Sequence, residues 1–246
     1  MATCRYCGKS SLCISQTLGF CLDCIRDHYD AVRPHLEKLH AHSRRRFNLP
    51  VQPPRAAGGV ACPLCMHACR IGEGERGYCG LRRVTRGRLI GGNPEGGNLR
   101  WYHDPLPTNC VADFVCPAGT GCGYPKYAHT QGPETGFKNL AVFYRSCSFN
   151  CLYCQNHSFK QASASDSVLT AVELAQAVGD ETACICFFGG DPTSQVSHAL
   201  QAARVAVKRK HGDILRILLG NQRLSPRTLS HGNGGHVPAI RRLHQV

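Results

Sequence analysis

The stretch SCSFNCLYCQN, residues 146–156, decides how the rest of the chain is interpreted. It places three cysteines, Cys147, Cys151 and Cys154, in a C-x3-C-x2-C spacing. A closed structural zinc site and an ordinary iron–sulfur cluster both take four protein ligands. Three thiolates can instead hold three irons of a [4Fe–4S] cluster, which leaves the fourth iron open to a small ligand. The spacing therefore favours a metal site with an open position; the alternative is a partial zinc site.

The segments that follow alternate between strand and helix patterns. The alternation runs strand, helix, strand, helix, strand over residues 139–144, 170–180, 183–191, 194–212 and 214–219. Such an order predicts a parallel sheet, and we expect Ser194 to cap the second helix. Active sites of parallel α/β sheets lie at the carboxyl ends of the strands, which is where Cys147 and Gly189 fall.

These motifs resemble those of a known superfamily, the radical S-adenosylmethionine (SAM) enzymes. CSFNCLYC after the first strand resembles their cysteine signature, and FFGGDP, residues 187–192, is similar to their Gly-Gly-Glu motif with Asp191 in place of Glu. The motif order and CPLCMHACRIGEGERGYCG, residues 62–80, resemble the pyruvate formate-lyase activating enzyme-like group. The resemblance implies an α/β fold: a partial, truncated radical SAM (β/α) barrel over residues 139–217, preceded by a cysteine-rich, metal-binding extension.

The resemblance also implies roles for individual residues. The three cysteines would bind the cluster, and SAM would chelate its open iron. Tyr153 would lie beside the adenine, Gly189 and Gly190 would let the backbone approach the SAM amino group, and Asp191 would accept a hydrogen bond from it. An oxidoreductase-type enzyme of this kind cleaves SAM to a 5′-deoxyadenosyl radical that abstracts hydrogen. It needs an electron donor such as ferredoxin or flavodoxin; the sequence does not identify the protein or small-molecule substrate.

A second cysteine pattern stands at the start of the chain. Cys4, Cys7, Cys21 and Cys24 form two C-x2-C pairs separated by thirteen residues. Each pair can point two thiolates at one metal ion, so the pattern predicts a zinc knuckle. A helical stripe follows within residues 1–47, and we expect Pro34 to kink that helix or to start a second one. A linker rich in proline and glycine is predicted over residues 48–59.

A third group of cysteines lies in the Gly-rich and Cys-rich extension, residues 60–138. Four of its members have metal-ligand spacing: Cys62, Cys65, Cys69 and Cys79. Zinc and an auxiliary iron–sulfur cluster both fit this set. Three more occur at even intervals of six, Cys110, Cys116 and Cys122, and are expected to be buried thiols.

Composition limits the remaining function classes. The 17 cysteines are an odd number in short clusters, which favours metal binding in a reducing, cytoplasmic compartment over disulfides. The first residues lack the apolar core of a signal peptide, and no run is long enough to span a membrane. The formal charge is +13, but the basic residues are scattered, which argues against nucleic acid as the main partner. Two alternatives stay open: a non-catalytic zinc or iron–sulfur module, and an RNA-modifying enzyme built on the same core.

The end of the sequence differs in character. Residues 218–246 have no acidic residue and no clear periodicity. Codons that encode LLGNQR, residues 218–223, can read Cys-Trp-Glu-Thr-Asn-Gly when one base is dropped, and Glu-Thr-Asn-Gly is typical of this position in activating-enzyme-like proteins. We therefore expect a frameshifted tail from residue 218 on a truncated enzyme. Sequencing of the coding DNA tests this expectation.

Overall fold

The computed structural model describes residues 1–108, 116–120, 125–161, 168–210 and 215–219. The chain divides into two compact units. The first contains residues 1–52 and 150–153, and the second contains the rest. Cys110, Cys122 and the tail from residue 220 lie outside the described residues, so the predictions made for them stay predictions.

The first unit contains two short strands followed by two helices. Its elements are β1 (Ala2–Thr3), β2 (Ser10–Ser11), α1 (Leu22–Asp27) and α2 (Tyr29–Arg45). The strands pair antiparallel. The small core consists of Cys4, Ile14, Cys21, Cys24 and Val32. Because three of these five are cysteines, this unit has little apolar material of its own beyond its thiols.

The helical break in this unit lies at His28 and not at Pro34. His28 has a non-helical backbone (φ −127°, ψ 37°), and α2 begins directly after it at Tyr29. Pro34 lies inside α2, in its second turn. Of the two alternatives expected for Pro34, the start of a second helix is therefore wrong, and a kink there stays a prediction. The missing N–H of the proline removes one hydrogen bond from α2 without ending the helix.

The second unit begins with two short antiparallel strand pairs and continues as an α/β sheet. Its strands are β3 (Val60–Ala61), β4 (Arg70–Ile71), β5 (Arg83–Thr85), β6 (Arg88–Ile90), β7 (Gly97–Pro105), β8 (Lys138–Tyr144), β9 (Val168–Leu169), β10 (Thr182–Gly189) and β11 (Arg216–Leu219). Its α-helices are α3 (Pro117–Thr120), α4 (Ala171–Gln176) and α5 (Val196–Arg209). Short 3₁₀ turns occupy Pro125–Tyr127, His157–Gln161 and Pro192–Gln195.

The main sheet has the strand order β11-β10-β8-β7-β9. Strands β8, β10 and β11 are parallel, which confirms the α/β prediction and the positions of its three strands. Strand β7 pairs antiparallel with β8 and was not predicted. Its central residues Arg100–His103 are all exposed, so it lacks the alternation that identifies a half-buried strand.

The two faces of the sheet have different roles. Leu140, Val142 and Tyr144 of β8 pack with β10, α4 and α5 in the main hydrophobic core. Because side chains alternate along a strand, the residues between them point to the other face. Ala141 and Phe143 there line a cavity of about 210 Å³. In the described part of the chain, helices thus cover one face of the sheet, and the other face carries a smaller buried cluster and this cavity.

The start of α5 differs from the prediction. Ser194 was expected to be its N-cap, but the helix begins at Val196 and its N-cap is Gln195. A 3₁₀ turn precedes it, with Pro192 at its first position and Asp191 as its cap. Ser194 lies within that turn and donates to the Asp191 carbonyl oxygen (3.1 Å).

Among the described residues, none of the helices combines the length and the apolar character that crossing a membrane requires.

Candidate functional site

The three cysteines of the opening motif lie on one loop that leaves the carboxyl end of β8. We call residues 145–156 the cysteine loop. Cys147 is buried, with 9% of its surface exposed, and Cys151 and Cys154 are partly exposed thiols. The Phe149 backbone N–H points at the Cys147 sulfur at 3.3 Å.

The two glycines of the second motif form a tight turn at the end of β10. A Cβ on Gly189 would lie 2.0 Å from the Phe143 ring, and one on Gly190 would lie 2.1 Å from the Tyr144 carbonyl oxygen. Gly190 also has φ +62°, a left-handed conformation that favours glycine. The backbone of this turn can therefore lie directly against the start of the cysteine loop.

Asp191, the next residue, connects the turn to the cysteine loop. Its N–H donates to the Ser146 carbonyl oxygen (3.0 Å). Carboxylate atom Oδ1 accepts from the Thr193 N–H (3.0 Å) and hydroxyl (2.7 Å), and Oδ2 accepts from the Ser148 N–H (3.2 Å) and hydroxyl. Burial raises the pKa of this fully buried carboxyl, and the four hydrogen bonds act in the opposite direction. The predicted role of Asp191 toward SAM stays a prediction; in this structure its carboxylate binds protein groups.

A further set of hydrogen bonds connects the loop to β7 and to the turn before α5. The Ser146 and Ser194 hydroxyl oxygens lie 2.6 Å apart. Gln195 Nε2 donates to Ser146 Oγ (3.1 Å) and to the Asn98 carbonyl oxygen (3.0 Å). Gln195 Oε1 accepts from the Asn98 N–H (2.9 Å). The turn before α5 thus holds the first residues of the cysteine loop and is itself hydrogen-bonded to β7.

The cavity on the sheet face opposite the helices lies beside the end of this loop. Gln155 and Asn156, which follow Cys154 directly, line it together with Asn139, Cys184 and Cys186. The Asn139 side-chain oxygen accepts from the Cys186 N–H (3.2 Å) and from the Cys184 thiol (3.5 Å). Cys116 also lines this cavity and is buried, as expected for it.

Residues 141–230 match the family model of the Radical SAM superfamily. The matched range contains the cysteine loop, the glycine turn and the parallel strands that carry them. The match shows that this part of the chain is similar to radical SAM domains. The comparisons found no curated protein and no solved structure that matches the chain. The activating-enzyme-like group and the frameshifted tail stay predictions.

The second cysteine set lies next to the cysteine loop. The four members of this set are Cys62, Cys65, Cys69 and Cys79, and they surround a cavity of about 20 Å³. Ser148 and Ser194 also line this cavity. That volume is room for about one water-sized atom. Burial raises the pKa of the Cys65 thiol to about 11 and also raises the pKa values of Cys69 and Cys79. A bound metal would have to displace those thiol protons.

His67 makes a direct contact between this second set and the cysteine loop. Its Nε2 lies 2.6 Å from the Ser148 carbonyl oxygen. A carbonyl oxygen only accepts, so this nitrogen carries the proton. The ring also lies against Tyr78, with centroids 4.3 Å apart. Neither His67 nor Ser148 was singled out from the sequence, although each directly adjoins a predicted ligand segment.

The N-terminal cysteine set has the geometry of a compact metal site. The sulfur atoms of Cys4, Cys7, Cys21 and Cys24 all lie within 4.8 Å of one another. In the part of the chain that the structure describes, this is the only such group of three or more ligand residues. The Cys7 and Cys21 sulfurs are 3.7 Å apart. A tetrahedral zinc ion with Zn–S bonds of about 2.3 Å requires nearly the same separation.

Backbone donors prepare one of these thiols for metal binding. Burial acts to raise the pKa of Cys4, but hydrogen bonds from backbone groups of Cys7, Cys21 and Tyr6 lower it to about 6. A thiol with that pKa is largely a thiolate at neutral pH, which is the form that binds metal. The sequence prediction that these four cysteines come together is confirmed.

Tyr153 and Cys151 lie on residues 150–153, which pack with the first unit. There Asn150 Nδ2 contacts the His40 ring at 3.1 Å and donates to the His40 carbonyl oxygen (3.3 Å). The Tyr153 side chain is 88% exposed. Its predicted contact with adenine stays a prediction.

Proposed function

We propose that this chain is a radical SAM enzyme whose cysteine loop binds a [4Fe–4S] cluster through Cys147, Cys151 and Cys154, with SAM on the open iron. One observation carries the proposal. The cysteine loop and the Gly189–Gly190 turn leave the carboxyl ends of the paired parallel strands β8 and β10, and backbone hydrogen bonds join them there. This is where an α/β sheet places its ligands.

The residues present fit these cofactors. Three cysteine thiols supply the soft ligands that iron prefers, and three leave one iron open. The turn has no Cβ at Gly189 or Gly190, so a charged ligand group can approach its backbone closely. When bound and reduced, the cluster supplies the electron that cleaves SAM to methionine and a 5′-deoxyadenosyl radical.

The protein groups have three tasks in this reaction. The three cysteines bind the cluster, the glycine turn and Tyr153 orient SAM, and the Asp191 carboxylate holds the turn against the loop. The cavity on the sheet face opposite the helices offers about 210 Å³ beside the loop, and we assign it to the substrate.

Several finer assignments belong to the same proposal. The extension before the domain supports an activating-enzyme-like enzyme, and zinc suits the compact N-terminal set. The second set suits zinc or an auxiliary cluster. We also propose a ferredoxin or flavodoxin as electron donor, a protein or small-molecule substrate, and a cytoplasmic location. These assignments rest on the sequence motifs and on the chemistry of thiolate ligands.

The alternative is a non-catalytic zinc module, and the zinc-like spacing of the N-terminal set favours it. Colour and metal content separate the two. A radical SAM enzyme purified anaerobically is brown and contains iron, whereas the module would be colourless and contain zinc alone.

The release of 5′-deoxyadenosine tests the proposal. Anaerobically reconstituted protein with SAM and a strong reductant is expected to form 5′-deoxyadenosine, and Cys151→Ala is expected to reduce the yield to background. Cys13→Ala is the control, because Cys13 is exposed and belongs to none of the predicted metal sets. Equal yields from wild type and Cys151→Ala would reject the proposed site.

A further inference from the structure

Ser148, the residue after Cys147, is held by two residues that are distant in the sequence. Its N–H and hydroxyl both donate to Asp191 Oδ2, and its carbonyl oxygen accepts from His67 Nε2 at 2.6 Å. The side chain is only 1% exposed. Every polar group of this buried serine is therefore hydrogen-bonded. Its two donors bind Asp191 after the glycine turn, and its carbonyl oxygen binds His67 of the second cysteine set.

The Asp191 carboxylate divides its hydrogen bonds between its own turn and the loop. Oδ1 accepts from the N–H and hydroxyl of Thr193, two residues along the chain. Oδ2 accepts the same two kinds of donor from Ser148, 43 residues away. A buried carboxylate is costly unless such donors surround it. The buried Asp191 carboxylate thus connects the turn that follows β10 to the cysteine loop.

His67 has a similar position in the second cysteine set. It lies between Cys65 and Cys69, and its ring packs on Tyr78, the neighbour of Cys79. Ser148 itself lines the cavity between the four cysteines of this set. Whatever fixes the geometry of residues 62–79 therefore also fixes the position from which His67 contacts the cysteine loop.

We propose that Ser148 is a positioning residue, clamped between Asp191 and His67. Through this clamp, the geometry of the second cysteine set determines how firmly the backbone at Cys147 is held in place. Asp191 acts in the same way, through Ser148 on the loop. The clamp is a property of the fold. Its importance for catalysis rests on the proposed function of the cysteine loop.

Hydrogen exchange of the full-length protein, read by mass spectrometry at single amides, tests the clamp. Ser148→Ala and Thr193→Val each remove one buried hydroxyl that donates to the Asp191 carboxylate, but only the first acts on the loop. We expect the Cys147 and Phe149 amides to exchange about tenfold faster in Ser148→Ala. In Thr193→Val they should stay within about twofold of wild type. Equal effects of the two substitutions would overturn the proposal.

The His67 side of the clamp has its own test. His67→Ala should also speed exchange at the Cys147 amide about tenfold. His67→Gln should restore most of the protection, because its side-chain amide keeps an N–H donor for the Ser148 carbonyl. Unchanged exchange in His67→Ala, or the same loss in His67→Gln, would contradict the proposal even if Ser148→Ala does not fold.

Metal analysis separates this proposal from the proposed function. With a cluster bound, Ser148→Ala should alter its electron paramagnetic resonance spectrum, and Thr193→Val should leave the spectrum unchanged. A wild-type protein without a cluster would refute the proposed function, while the exchange rates would still decide the clamp. A normal cluster together with wild-type exchange in Ser148→Ala and His67→Ala would refute the clamp alone.

Discussion

Gly190 is the single residue on which the glycine turn depends most. Two separate costs accompany a side chain there: a left-handed backbone with φ +62°, and a Cβ only 2.1 Å from the Tyr144 carbonyl oxygen. The first costs about 1–2 kcal/mol. The second requires the backbone of β8 or β10 to move, which would disturb the start of the cysteine loop.

Comparison with Gly87 separates these two costs. Gly87 has φ +68°, and a Cβ there would meet nothing within 4 Å. We expect Gly87→Ala to lower the free energy of unfolding by about 1–2 kcal/mol. Gly190→Ala should cost at least about twice as much and should also weaken SAM binding, measured by calorimetry under anaerobic conditions. Similar costs at the two positions would mean that the turn tolerates the extra atom.

At the scale of elements, the N-terminal set should make the first unit fold on its metal. The core of this unit contains three of the four cysteines, so protonated thiols alone give it little stability. Cys4→Ser is expected to lower the zinc content by about one equivalent per chain and to expose residues 1–45 to proteolysis. Cys13→Ser should change neither. Iron at this set, or zinc retained in Cys4→Ser, would contradict the assignment.

A buried ion pair holds β11, the outermost strand of the main sheet among the described residues. Arg216 Nη1 donates to Glu134 Oε1 (2.6 Å), and the Glu134 side chain is fully buried while that of Arg216 is 11% exposed. Burial acts to raise the pKa of Glu134, but hydrogen bonds from Arg216 and His129 outweigh it and lower the pKa below its ordinary value. The ionised Glu134 carboxylate therefore stabilises the folded protein. This stabilisation is lost as the pH falls below about 4.3, the ordinary glutamate pKa, toward the lower pKa of the folded state.

Glu134→Gln measures this contribution. Breaking the buried pair should cost about 3–5 kcal/mol at pH 7, and the difference from wild type should shrink below about pH 4.3. Glu181→Gln is the control, because Glu181 pairs with Lys138 at the surface and should cost about 1 kcal/mol at most. Urea unfolding can be followed by the fluorescence of Trp101, the single tryptophan, which lies in the same sheet. Equal costs for the two variants would contradict this account of β11.

The elements differ in how well the sequence predicts them. Strands β8 and β10 are apolar on both faces and short, so they stand out; β7 does not, because its central side chains are exposed. Pro34 is a strong signal for a helix start, but the break occurs at His28, where only the backbone geometry shows it. Such breaks depend on tertiary contacts that local propensity does not include.

The candidate site shows the same division. Cysteine spacing and the glycine pair are read directly from the sequence, because metal ligation and close backbone approach require those residue types. The Ser148 contacts cannot be read from the sequence, since serine and histidine occur in many settings. Asp191 lies 43 residues and His67 lies 81 residues from Ser148 along the chain. Long-range hydrogen bonds of this kind become visible only when the fold brings the segments together.

At the scale of the whole molecule, the charge and the cysteines have to be considered together. The formal charge of +13 counts no thiolates, yet eleven of the 17 cysteines belong to the three predicted metal sets. Metal-bound thiolates are negative and offset part of that excess. The basic composition alone therefore gives little support to the RNA-modifying alternative, which requires tight, salt-sensitive RNA binding.

The central claim is that the cysteine loop holds a cluster whose open iron binds SAM. Electron paramagnetic resonance of the anaerobically reconstituted and reduced full-length protein, recorded with and without SAM, tests it most directly. The account predicts a [4Fe–4S] signal that shifts when SAM is added and disappears in Cys151→Ala. A protein without iron at this loop, or a cluster signal that SAM leaves unchanged, would contradict the account.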